Sequence, residues 1–136
     1  WKADPSPIVA TVALAMIGPM PGIVISRWQA SSLRALVHIA PWEAALGLLA
    51  GAARLLRPDG VLVFYGPFML GGKHTSASNA AFDADLRKRD ARWGVRDVDD
   101  LVGEAAPLGL ELLELVEMPV NNLSLVFVKV GPPVPP

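Results

Sequence analysis

The sequence predicts an α/β domain built in layers: a mostly parallel sheet covered by helices and ended by an antiparallel β-hairpin. Three observations carry this. The run "GVLVFYG", Gly60 to Gly66, is apolar without alternation, as in a strand buried on both faces. Between it and an earlier apolar run, Leu33 to Ala40, lies an apolar stripe at helical spacing, which makes a right-handed crossover between two parallel strands. Near the end, "LELLELVEMP" and "NNLSLVFVKV" are strand-like runs whose closeness requires a hairpin.

In chain order, "SPIVATVALAMIG" opens with Ser6 as an N-cap and Pro7 at the first helical position, and Gly18 and Pro19 stop it. A helix is expected there, although the β-branched content also permits a strand. "GIVIS", Gly22 to Ser26, reads as a short buried strand and "SRWQASS" as a loop. Leu33 to Ala40 reads as a strand with His38 near its carboxyl end, stopped by Pro41. Pro41 suits the first turn of the helix that follows, in which Trp42, Ala45, Leu46, Leu49, Ala53 and Leu56 form the stripe. Glu43 lies at the positive end of its dipole, Arg54 and Arg57 at the negative end, and "RPDG" turns the chain. After Gly66 comes a long polar connection, with helices expected over Ser78–Arg89 and Val98–Ala106. The tail "GPPVPP" cannot join a sheet.

A chain of 136 residues makes one domain, 1–130, followed by the proline-rich tail 131–136. It starts at Trp1, inside what reads as a structured region, so the expectation is the later part of a longer protein. Twelve basic residues against thirteen acidic ones give no electrostatic reason to expect nucleic acid or an anionic membrane as partner. Arg87, Lys88, Arg89, Arg92 and Arg96 are interleaved with Asp83, Asp85, Asp90 and Asp97, which reads as a self-paired, solvated face. Without cysteine there is no disulfide or thiolate metal site, and His38 and His74 fit no zinc spacing, so no metal is expected. Ile8 to Ile17 is too short to span a bilayer and no targeting signal is read, so the expected location is cytoplasmic.

Open α/β sheets bind ligands at the carboxyl ends of their strands. His38 with Pro41-Trp42, and Tyr65-Gly66-Pro67, fall at such ends. The polar segment "HTSASNAAFDADLRKRDARWGVRD", His74 to Asp97, follows the second end directly, where a lid or substrate wall would stand. Asn79, Phe82, Asp83 and Arg87 share one helical face, and an amide, a carboxylate and a guanidinium together suit a small polar ligand. Trp93-Gly94-Val95-Arg96-Asp97 would close over it. The plainer reading is a hydrogen-bonded brace that fixes a long loop on the sheet. His38 is a pocket wall, a base, or a structural core histidine; Tyr65 faces substrate or anchors its loop. Asn121 and Asn122 either shape the hairpin turn or present amides to the same pocket.

A strand-helix-strand unit ending in a hairpin resembles the second half of class I S-adenosylmethionine-dependent methyltransferases. "VHIAPWEAALGLLAGAARLL", "YGPF", "GGKHTSASNAAFDADLRKRDARWGVRD" and "MPVNNLSLVF" together resemble the family that includes methyltransferase-like protein 26, over Leu36 to Lys129. The resemblance implies a partial Rossmann-like methyltransferase sheet, S-adenosylmethionine as cofactor, and methyl transfer to an unidentified small-molecule or protein substrate. It implies cofactor contacts from Asp4 and His38, catalytic candidates His38, Tyr65 and Asp83, and a substrate pocket of Tyr65, Gly66, Asn79, Asp83, Arg87, Trp93, Arg96, Asn121 and Asn122.

The sequence also departs from that pattern. Asp4 stands one place before the acidic position that binds the ribose hydroxyls, Ala35 replaces an asparagine, and Arg34 interrupts an apolar strand. No glycine-rich cofactor loop occurs in the chain. Gly66 to His74 comes near a phosphate loop but has Gly72 where lysine is needed. These departures imply weak or absent cofactor binding by this chain alone. They keep a second reading open, a non-catalytic remnant of the fold that serves as a binding or interaction module.

Overall fold

The computed structural model describes His38, residues 40–130, and the backbone of Val12–Met16. The elements are β1 (Val12–Met16), α1 (Trp42–Leu55), β2 (Val61–Gly66), α2 (Ala77–Arg89), α3 (Val98–Ala105), β3 (Leu110–Met118) and β4 (Asn122–Lys129). Expectations for Asp4, Gly22–Ser26, Leu33–Val37 and the tail 131–136 fall outside the described residues.

The described sheet runs β1-β2-β4-β3 and is antiparallel throughout. This corrects the expected parallel sheet. β1 and β4 take both edges of β2, with Val12 opposite Tyr65 and Gly66 opposite Leu123. Burial on both faces was read correctly in β2, but burial of side chains carries no information about strand direction. Of the expected strand Leu33–Ala40 only His38 and Ala40 are described, as a turn and a bend. The helix expected over Ser6–Ile17 is also corrected, because Val12–Met16 is a strand. Over Val12–Met16 the chain forms a ladder along one edge of β2, from Val12 opposite Tyr65 to Met16 opposite Val61.

The remaining elements form for reasons visible in the residues. α1 starts after Pro41, carries Glu43 in its first turn and Arg54 in its last, and buries Ala45, Leu49 and Ala52 at helical spacing. α2 is capped by the Ser76 hydroxyl, which accepts from Asn79 N–H at 3.1 Å. α3 is capped by Asp97, which accepts from Asp99 N–H at 2.8 Å, and buries Val98, Leu101 and Ala105. β3 and β4 form the expected hairpin, and Glu111, Glu114 and Glu117 are exposed on it.

One face of the sheet, through Leu62, Phe64, Leu123, Leu125 and Phe127, packs on α1 and α3 to make the main core. Phe64 meets Phe127 edge to face at 5.8 Å and Phe68 at 6.3 Å, so Phe68 ties the chain leaving β2 to that core. Val61, Val63 and Val126 cluster on the other face. Among the described residues no helix is long and apolar enough to cross a membrane.

Candidate functional site

The chain leaves β2 through Gly66, Pro67 and Phe68, all buried, and reverses at Gly71 and Gly72. Both glycines have positive φ, 56° and 77°, which favours glycine there. The chain then returns through α2 and crosses its own start. Met69 N–H donates to Arg96 O at 2.9 Å, Val98 N–H to Met69 O at 3.0 Å, and Gly72 N–H to the Asp97 carboxylate. The segment from His74 to Asp97 is therefore held against the end of β2.

α2 is unusual in what it buries: Asn79, Asp83 and Leu86, an amide and a carboxylate on a core-facing stripe. Asp83 Oδ1 accepts from Val95 N–H at 2.8 Å and from Arg87 Nε–H at 3.0 Å, and Oδ2 lies 3.2 Å from His74 Nε2. Both oxygens are thus engaged in bracing the returning loop. Outside the brace, Arg89 pairs with Asp85 at 3.0 Å and Arg92 with Asp90 at 2.8 Å, the self-paired exposed face expected from the charge pattern. The hydrogen bonds from Arg92 hold the Asp90 carboxyl down at about 2.

Gly94 sits where the loop presses on the brace. A Cβ there would lie 3.0 Å from Arg87 Nη2 and 3.1 Å from Asp83 Oδ1. Arg87 can swing outward, but Asp83 Oδ1 is fixed by Val95. Gly94→Ala is expected to cost about 1–2 kcal/mol. Thermal unfolding checks it, and an unchanged Tm would contradict the close approach.

His38 is fully buried and lies against the Phe68 ring, centroids 4.7 Å apart. Its carbonyl accepts Gly94 N–H at 3.0 Å and its Nδ1 accepts Arg96 N–H at 3.0 Å. Burial, reinforced by the Arg96 cation, lowers its pKa from 6.5 to about 3. The ring is therefore neutral near pH 7, and with Nδ1 as acceptor the proton belongs on Nε2. Nε2 is buried and has no partner among the described residues. In this arrangement His38 offers a donor rather than a base.

A second polar group lies at the same end of the sheet. Asn79 Nδ2 donates to Thr75 Oγ1 and to Asn121 O, each at 3.0 Å. Asn122 Nδ2 donates to Pro119 O at 3.3 Å and, at 3.4 Å, approaches the Tyr65 hydroxyl. Backbone carbonyls fix both amide orientations, so Asn79 Oδ1 and Asn122 Oδ1 are the acceptors, and both are buried without a donor among the described residues. Asn121 is a turn residue, exposed and at φ 59°, next to Val120 at φ 63°. Asn121 takes the turn geometry read for it, and Asn122 is buried beside it.

Arg96 stacks over Trp42, 5.4 Å from the ring centre, and donates to Ala40 O at 2.7 Å and Arg92 O at 2.9 Å. Trp93 is half-buried and its N–H closes a turn onto Asp90 O at 3.0 Å. A cavity of about 540 Å³ opens beside Trp42, Arg96 and Arg87. Tyr65, Gly66, Asn79 and Asn122 do not line it. Of the pocket residues expected from the sequence, Arg87 and Arg96 line this cavity, while Tyr65 and Asn122 meet elsewhere. Sequence reasoning missed the parts played by His74 as partner of Asp83, Asp97 as cap of α3 and acceptor of Gly72 N–H, and Gly94 as the close contact of the brace. Asp97 had a readable signal, an N-cap before Val98 and Leu101; the other two depend on contacts made only in the fold.

These elements define a methyltransferase-like α/β fold. Over 69% of its length the chain is similar to CalO1, a methyltransferase in calicheamicin biosynthesis in its SAH-bound form, with 15% identity and a TM-score of 0.58. Over 70% it is similar to an O-methyltransferase family protein from Burkholderia thailandensis, with 19% identity and a TM-score of 0.54. Over 70% it is also similar to the pyocyanin biosynthetic protein PhzM, with 16% identity and a TM-score of 0.55. In each case it spans 28% of the other chain. The chain belongs to the family described as "Protein of unknown function (DUF938)", whose model matches residues 19–129.

Proposed function

We propose that the protein supplies the substrate side of an S-adenosylmethionine-dependent methyltransferase, within the group that includes methyltransferase-like protein 26. The observation that carries this reading is a set of buried polar atoms without a hydrogen-bond partner among the described residues, on the segments at one end of a methyltransferase-like sheet: His38 Nε2, His74 Nδ1, Asn79 Oδ1 and Asn122 Oδ1. An unsatisfied buried donor or acceptor costs about 1–3 kcal/mol, and a ligand that pairs with it recovers that cost.

The cofactor, when bound, supplies a methyl group already activated by the sulfonium. His38 fits it as a neutral donor, and the remaining work of this chain is positioning and exclusion of water. The Asp83 brace sets the loop, Gly94 and Arg96 N–H set the imidazole, and Asn122 with Tyr65 offers groups to orient an acceptor molecule. Substrate deprotonation falls to solvent or to the substrate's own chemistry, since His38 Nε2 carries its proton. The second reading is a non-catalytic binding module of the same fold.

Titration of the 15N-labelled chain with SAH separates the two. The proposal expects binding weaker than micromolar, with shifts centred on the His38 ring and the Asn122 side chain. Shifts confined to other residues, or none at saturation, would favour the module. Micromolar binding would show that the glycine loop is dispensable.

A further inference from the structure

The cavity beside Trp42 has walls of opposite sign on different elements. α2 and the loop after it contribute Arg87 and Arg96; α3 contributes Asp99, Asp100 and Glu104. Trp42, Met69 and Val95 add apolar surface. At about 540 Å³ the space is of the size that holds small molecules.

Two features of α3 have no explanation within the fold. Glu104 stands in the last turn, where the helix dipole disfavours a carboxylate, and neither it nor Asp100 forms an ion pair among the described residues. Gly103 lies inside the helix, where glycine costs about 1 kcal/mol relative to alanine. A Cβ on Gly103 would meet nothing within 4 Å, so no close packing requires glycine. What the missing side chain does is leave the cavity open.

We propose that this cavity binds a small amphoteric molecule, an amino-acid-like compound whose ammonium faces Asp100 and Glu104 and whose carboxylate faces Arg87 and Arg96. Its apolar part lies on Trp42 and Met69. Arg96 joins this cavity to His38 through its backbone N–H, which puts the ligand on the substrate side. The use made of the ligand rests on the methyltransferase reading, but its binding does not, and it is measured without cofactor.

Three probes share the phenethyl skeleton and differ in which charged groups they carry: L-phenylalanine has both, phenethylamine only the ammonium and 3-phenylpropionate only the carboxylate. Binding is followed at the Trp42 indole N–H and the Gly103 amide. L-Phenylalanine is expected to bind at least about threefold tighter than either single-charge probe, the scale of a partly exposed ion pair. Glu104→Gln should bring it down towards 3-phenylpropionate. Gly103→Leu should abolish binding while the chain melts at the same or a higher temperature, which separates a filled cavity from an unfolded protein. Equal affinity for L-phenylalanine and either single-charge probe would overturn the proposal, as would no response to any of the three by the folded chain. Competition by SAH at the same two signals would give the cavity to the cofactor's own amino-acid end and overturn the substrate-side assignment. Failure of methyl transfer with these binding results intact would leave the cavity standing and count against the function alone.

Discussion

Asp83→Ala is expected to destabilise the protein by about 2–3 kcal/mol and to lower its Tm by roughly 10 °C. The cost has one main source. Val95 N–H is buried and donates to Asp83 Oδ1 at 2.8 Å, so truncation leaves it without a partner. The pair with Arg87 adds little, because the Arg87 side chain is 54% exposed. Asp83→Asn keeps an oxygen for Val95 and should cost much less. Arg87→Ala should change Tm only slightly while removing one wall of the Trp42 cavity. Thermal melts of the three variants check the order. Were Asp83→Ala to melt with the unchanged protein, the carboxylate would not be a brace, and a direct role at the site would be the better account of its burial.

The second large effect concerns pH. His38 in the folded chain takes up a proton only near pH 3, against 6.5 for the ordinary imidazole. Above pH 6.5 the ring is neutral in both states and its contribution is complete. Between 6.5 and about 3 the unfolded chain binds a proton that the folded chain refuses. Stability should therefore fall as pH drops through that window, because protonation pulls the chain towards the unfolded state. His38→Asn retains a side-chain acceptor for Arg96 N–H but does not titrate, so its profile should be flatter between pH 6.5 and 4. Asp90 acts lower: its pKa is held down chiefly by the hydrogen bond from Arg92, and its contribution is lost as pH falls through about 2. Urea midpoints measured against pH for the two proteins give the difference directly. Parallel profiles would mean that His38 is hydrated in the folded state.

Much of this fold was legible because it rests on local chemistry. Pro41 and the stripe through Ala45 and Leu49 marked α1, and the two apolar runs around "MPVNN" marked the hairpin. Strand direction was not legible. A run such as Val61–Tyr65 reports that both faces are covered and says nothing of which way its neighbours run. β1 escaped because its partner, β2, lies some fifty residues away in the chain.

The site shows the same division. The spacing of Asn79, Asp83 and Arg87 on one helical face was readable. The partners were not: Arg96 N–H reaches His38 across 58 residues, and Asn79 reaches Asn121 across 42. Asp83 turned out to be committed to the loop that it holds, and Asn122 to a cluster with Tyr65, which no spacing rule could have separated.

The central claim is that the polar segment folds over the strand ends to build the substrate side of a methyl-transfer site. Its most direct measurement is transfer of a tritiated methyl group from S-adenosylmethionine into a small-molecule cell extract. The extract is incubated with the protein, with Asn122→Ala and with Gly103→Leu, each confirmed folded by circular dichroism. The account predicts label in an extract component with the unchanged protein and marked loss of label with both variants. No transfer by the folded protein at saturating cofactor, or equal transfer by all three, would contradict it.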